Sequence, residues 1–139
     1  MKSLVSRLEF KVRFNEVDPL GIVWHGHYIR FFEDGREAFG SQHGLAYMDI
    51  YHQGFVAPVV NINCNYKKSL EYGDYAVVET TFVNHPAAKI IFNYKIFLTS
   101  TNELIAEGTS TQVFLDSEKR QLQLVAPAFY EKWKTEQGF

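Results

Sequence analysis

A single cysteine, Cys64, stands in a chain of 139 residues. One thiol excludes an intrachain disulfide framework and any zinc site built from several cysteines, and it points to a reducing compartment. Basic charge is not in excess: 14 Lys and Arg stand against 16 Asp and Glu, a formal net charge of −2. That balance argues against nucleic-acid binding driven by a basic surface. No apolar run approaches the roughly 18 residues of a membrane span. In the opening MKSLVSRLEFKVRF, the residues Arg7, Glu9 and Lys11 interrupt any signal-like stretch. The expected location is cytoplasmic. Prolines are few and scattered (Pro19, Pro58, Pro86, Pro127), and no linker, repeat or low-complexity tract is visible. One domain over residues 1–139 is expected. The phosphate-cradling patterns GxGxxG and Walker A are missing, as is the Gly-x-Ser-x-Gly elbow of serine hydrolases.

Aromatic residues, in contrast, make up 16% of the chain, with twelve Phe and eight Tyr, a composition that favours a sheet. Leu8, Phe10, Val12 and Phe14 alternate with Glu9, Lys11 and Arg13, which predicts a half-buried strand over Leu8 to Phe14. A loop rich in turn residues follows to about Gly26. Tyr28, Phe31, Phe32, Gly35 and Phe39 then recur at helical spacing, and the pattern stops between Gly40 and Gly44. Gly35 inside that stripe predicts close approach to a neighbouring sheet. Four further strands are predicted, over Pro58 to Tyr66, Tyr75 to Val83, Lys89 to Thr99 and Leu104 to Leu115, joined as a meander. A short helix over Pro127 to Lys134 and a frayed tail from Thr135 to Phe139 complete the reading. The fold class is α+β: an antiparallel five-stranded sheet wrapped around one long central helix, the hot-dog arrangement. Such a sheet leaves an edge unpaired, so a homodimer or homotetramer is expected.

Chemistry concentrates between Arg13 and Glu37, RFNEVDPLGIVWHGHYIRFFEDGRE, where two histidines, several carboxylates and the loop glycines Gly21 and Gly26 occupy one loop and the helix start. Asp18, Gly21, the apolar Ile22-Val23, Trp24, His25 and Tyr28 are spaced as in the signature of the 4-hydroxybenzoyl-CoA thioesterase family of hot-dog proteins, and the segment resembles it. The branch with His at the position of His25 includes acyl-CoA thioesterases associated with the Tol–Pal envelope system. The resemblance implies hydrolysis of a thioester of coenzyme A or acyl carrier protein, with no cofactor and no metal. It makes Asp18 the catalytic carboxylate, as nucleophile or as general base. It gives the His25 position a backbone N–H that polarises the thioester carbonyl, a role suited to a helix N-terminus. Gly21, Val23, Trp24, Tyr28 and Glu33 become candidate substrate-binding residues. The bland alternatives are an Asp18 that only caps a turn, a Tyr28 in the core and a Glu33 paired with Arg30 or Arg36.

Two positions depart from the family pattern. His27 stands where Asn is common. Phe14 stands where the His-containing branch often carries Tyr, so no hydroxyl comes from that position. A zinc site at His25 and His27 is disfavoured, because an i, i+2 pair shares no helix face. Lys67, Lys68 and Lys89 are unspecific candidates for coenzyme A phosphates. Cys64, on a strand face with Ile62 and Tyr66, reads as a small buried hydrophobe rather than a nucleophile. The alternative function is a hot-dog module that binds acyl chains or serves assembly without hydrolysis.

Overall fold

The inward-facing alternation of four consecutive inner residues on β5 (Lys89–Leu98) shows how the core is built. Ile90, Phe92, Tyr94 and Ile96 are all at most 2% exposed, while their neighbours face out. The computed structural model describes residues 3–139; Met1 and Lys2, the start of the opening stretch, lie outside the described residues. The remaining elements are β1 (Val5–Lys11), α1 (His27–His43), α2 (Tyr47–His52), β2 (Phe55–Val56), β3 (Val59–Tyr66), β4 (Tyr75–Val83), β6 (Leu104–Val113), β7 (Leu115–Asp116) and α3 (Ala128–Glu136). Five strands form one sheet in the order β1-β4-β5-β6-β3, with every pair antiparallel. β2 and β7 pair separately.

Helix α1 lies across this sheet with Tyr28, Phe31, Phe32, Gly35, Phe39 and Gly40 buried. Phe32 stacks on Tyr94 at 4.7 Å, Phe31 on Phe10 at 4.3 Å, and Phe39 meets Phe92 edge-on at 4.9 Å. Gly35 sits where the helix presses closest. A methyl group there would lie 2.6 Å from Thr80 Oγ1 and 2.9 Å from Val78 Cγ2. The helix ends at Gly44, whose φ of 76° is the left-handed conformation of a C-terminal cap.

Several expectations need correction. The last four sheet strands are not a meander. β3 pairs with β6 at one edge, and the chain then crosses to start β4 on the far side, next to β1. Hydropathy marks strands but not their neighbours, and this crossover comes from tertiary packing. β1 is shifted towards the N-terminus and stops at Lys11, because the Glu16 carboxylate captures the Arg13 N–H at 2.6 Å and turns the chain into a short 3₁₀ segment, Phe14–Glu16. Phe14 is therefore 76% exposed and not on the inner face. Helix α2 was not foreseen, since six residues burying only Ile50 leave no periodic trace. The tail is ordered: the Phe139 N–H donates to Lys134 O at 2.9 Å, and its ring packs 5.3 Å from Phe82. Cys64 is half-buried rather than buried, on the edge strand β3.

Candidate active site

The loop carrying the motif is a small closed structure. Val17 bridges Val23, and the Trp24 N–H donates to Glu16 O at 3.0 Å. Inside it, the Asp18 N–H donates to Ile22 O at 2.8 Å, and the Gly21 N–H returns to Asp18 O at 2.9 Å. Gly21 has φ of 80°, a conformation that L side chains rarely adopt, which explains glycine at this spacing from the aspartate. Asp18 Oδ1 accepts the Leu20 N–H at 2.8 Å, an Asx turn. Among the described residues, Oδ2 has no donor. Turn-capping and a free carboxylate oxygen thus coexist on one side chain.

The crossover from β3 to β4 supplies the other half. The Val23 N–H donates to Leu70 O at 2.8 Å, and Ile22 bridges Glu71. The Leu70 N–H in turn donates to Tyr28 Oη at 3.2 Å. Tyr28 is 2% exposed, and its burial pushes the phenol above its ordinary pKa. A cavity of about 280 Å³ opens between the two segments, walled by Asp18, Val23, His25, Tyr28, Tyr66 and Lys67.

The structure therefore brings Asp18, Val23, His25 and Tyr28 to one cavity. Gly21 shapes the loop behind it. Trp24 is 49% exposed and lies against both imidazoles, 5.1 Å from His25 and 5.4 Å from His27. Its indole covers Gly26, where a Cβ would fall 2.2 Å from the ring. Glu33 faces elsewhere: it lies 3.6 Å from Arg36 and walls a second cavity of about 480 Å³, with Leu45, Ile50, Ile90 and Phe92. Lys67 and Lys68 rim the first cavity, with Lys68 ion-paired to Glu103. Lys89 does not wall it.

Two features escaped the sequence reading. The first is Tyr66, whose hydroxyl donates to His25 O at 2.8 Å. Its position at the end of β3 gave no motif, and only the strand crossover brings it to the loop. The second is the state of the amides at the helix start. The His27 N–H donates to Trp24 O at 3.0 Å. Among the described residues, neither the His25 nor the Gly26 N–H reaches an acceptor. Two adjacent donors at a helix N-terminus suit an oxygen that gains negative charge.

Among the described residues, no three His, Cys, Asp or Glu side chains converge on a metal position. No helix of the described residues is long and apolar enough to cross a membrane.

The profile of the Thioesterase-like superfamily matches residues 12–133. A Bacillus subtilis (strain 168) protein named "Putative acyl-CoA thioesterase YneP" is 39% identical over 114 residues, 82% of this chain and 82% of its own length. The 4-hydroxybenzoyl-CoA thioesterase of Pseudomonas sp. (strain CBS-3) is 22% identical over 130 residues, 88% of this chain and 92% of its own. The DHNA-CoA thioesterase structure from Staphylococcus aureus superposes with a TM-score of 0.84 at 27% identity, covering 95% of this chain and 89% of that one. A 1,4-dihydroxy-2-naphthoyl-CoA thioesterase from Synechocystis has the same fold, with a TM-score of 0.82 at 19% identity over 95% of this chain and 96% of its own. With the profile spanning the motif loop, α1 and four of the five strands of the sheet, this chain belongs to the Thioesterase-like superfamily.

Proposed function

We propose that this chain is an acyl-CoA thioesterase in which Asp18 and the amides at the start of α1 carry the reaction. One observation carries the assignment of the site: Asp18, with an unengaged Oδ2, and His25, beside unengaged amides, wall the same cavity. Water adds its oxygen to the thioester carbonyl carbon, the C–S bond breaks, and the products are a carboxylate and a thiol. Asp18 either takes the proton from that water or attacks the carbonyl first, forming an anhydride that water then opens. In both routes the carbonyl oxygen gains negative charge, and the His25 and Gly26 amides are the donors available to it. The His25 imidazole has a supporting role.

The acyl group is assigned to the apolar cavity beside α2, reached through a second copy of the chain. β3 is a bare edge, with Val59 37% and Val60 59% exposed. Antiparallel pairing of two such edges about a two-fold axis sets the Tyr66 end of one strand beside the Val59 end of the other. Ala57 and Gln112, next to the Val59 end, wall the 480 Å³ cavity. Pairing thus joins the Asp18 loop of one protomer to the apolar cavity of its partner. A cytoplasmic site of action fits the free thiol of Cys64.

Thiol release from purified protein is the test, using short, long and aryl acyl-CoAs with the same acyl groups on carrier protein as a second arm. Release from at least one acyl-CoA is expected. Release from carrier-protein thioesters alone would move the substrate class, and release from none at high enzyme would reject hydrolysis in favour of acyl binding.

A further inference from the structure

We propose that Tyr66 is a positioning residue for thioester hydrolysis: its hydroxyl clamps the His25–Gly26 peptide and so aims the unengaged amides at the start of α1. The proposal rests on the reading that the Asp18 cavity hydrolyses thioesters.

The His25 carbonyl and the Gly26 N–H belong to one planar peptide, so holding the oxygen fixes the direction of the hydrogen. Two donors reach that oxygen. The Tyr28 N–H does so at 3.4 Å, near the limit of a hydrogen bond, whereas Tyr66 Oη does so at 2.8 Å. The phenol therefore supplies the stronger restraint. The preceding peptide is held in the same way, since Trp24 O accepts the His27 N–H at 3.0 Å. Both peptides flanking His25 are fixed through their carbonyls, while both amides stay free.

The clamp itself has support. The Tyr66 ring sits edge-on to Tyr28 at 5.2 Å, and Tyr28 is locked in the core by its hydrogen bond to Leu70. Burial is the main cause of a raised Tyr66 phenol pKa, so the hydroxyl keeps its proton at neutral pH and remains a donor. Tyr66 is nonetheless 48% exposed and ends an edge strand, so the core does not depend on its hydroxyl. Donors aimed at a developing oxyanion work because they are oriented in advance. A free-swinging peptide would lose that advantage without losing substrate binding.

The test compares wild type, Tyr66→Phe and Asp18→Asn in the thiol-release assay, with amide hydrogen exchange of the unliganded proteins alongside. For Tyr66→Phe, kcat should fall about 10- to 100-fold, a sizeable part of the loss on removing an oxyanion donor outright. KM should change far less, and the thermal midpoint should barely move. Exchange of the Tyr28 amide, which shares the His25 carbonyl, should speed up. Wild-type kcat in Tyr66→Phe, a loss confined to KM, or unchanged Tyr28 exchange would each overturn the proposal while leaving an active wild type in place. A wild type that releases no thiol would instead overturn the underlying reading.

Discussion

The two carboxylate oxygens of Asp18 are in different situations. Oδ1 holds the Leu20 N–H, whereas Oδ2, among the described residues, has no donor, and the side chain lines the cavity. The informative substitution is therefore Asp18→Asn, because an amide oxygen can still accept from Leu20 and keep the turn. That variant should fold normally and lose about 10²- to 10⁴-fold in kcat, the usual contribution of a positioned base. His25→Ala should fall less than about 10²-fold, since its backbone N–H survives. Thiol-release kinetics on both variants, with circular dichroism as a check of folding, decides the ranking. Equal loss in the two would promote the imidazole to a primary catalytic group, and wild-type kcat/KM in Asp18→Asn would remove the carboxylate from the mechanism.

Two contacts between elements set where the loop and helix lie. The first joins the short 3₁₀ segment after β1 to α1. Glu16 is 5% exposed, and its carboxylate accepts from the Arg13 N–H and pairs with Arg30 on the helix. Burial alone would raise its pKa, but these partners outweigh burial and hold the carboxyl below its ordinary value of 4.5. A depressed folded pKa means that the stabilisation is complete above the unfolded value and is lost as pH falls through the folded one. Glu16→Gln should cost about 1–2 kcal/mol at neutral pH, as for a hydrogen bond to a charged group with a half-exposed partner. Urea melts across pH should show the two proteins converging below about 4.5. A constant gap down to pH 3 would contradict the charge argument. The second contact is Gly35 on the sheet. Gly35→Ala gains about 1 kcal/mol of helix propensity but drives a methyl into buried Thr80 and Val78. Overpacking of this kind costs about 1–3 kcal/mol, and both neighbours are β-branched with little room to turn. The net effect should be a lower urea midpoint, and a raised one would show that the helix can lift off the sheet freely.

At the scale of the whole molecule, β3 is one of the sheet's two edge strands and the one along which the proposed dimer pairs. Light scattering at micromolar concentration should give an even assembly, at least twice the 16.1 kDa chain mass. Val60→Lys places a charge on that edge and should shift the equilibrium towards monomer. Activity should fall with it, because the apolar cavity proposed to receive the acyl group then loses its neighbour. A fully active monomer would show that each chain contains a complete site.

Much of the fold was legible because hydrophobic spacing is local. The stripe from Tyr28 to Phe39 marked α1, and the alternation from Ile90 to Ile96 marked β5, each without reference to any other segment. The Asp18-to-Tyr28 spacing was legible for a similar reason: Asp18, Gly21 and the helix start close one short loop, so its requirements are written in consecutive residues. Partner choice between strands is not local. That β3 joins β6 at the edge, and that the chain then crosses to β4, follows from how the sheet packs around α1. The same crossover carries Tyr66, Lys67 and Leu70 to the Asp18 loop, which is why Tyr66 left no sign in the sequence. The sequence by itself marked α1, the strands of the main sheet, α3 and the loop that carries Asp18, but not α2 or the β2–β7 pair. The tertiary structure decided which distant side chains meet that loop, because hydrogen bonds such as Tyr66 to His25 join residues 41 positions apart and exist only once the sheet has closed on the helix.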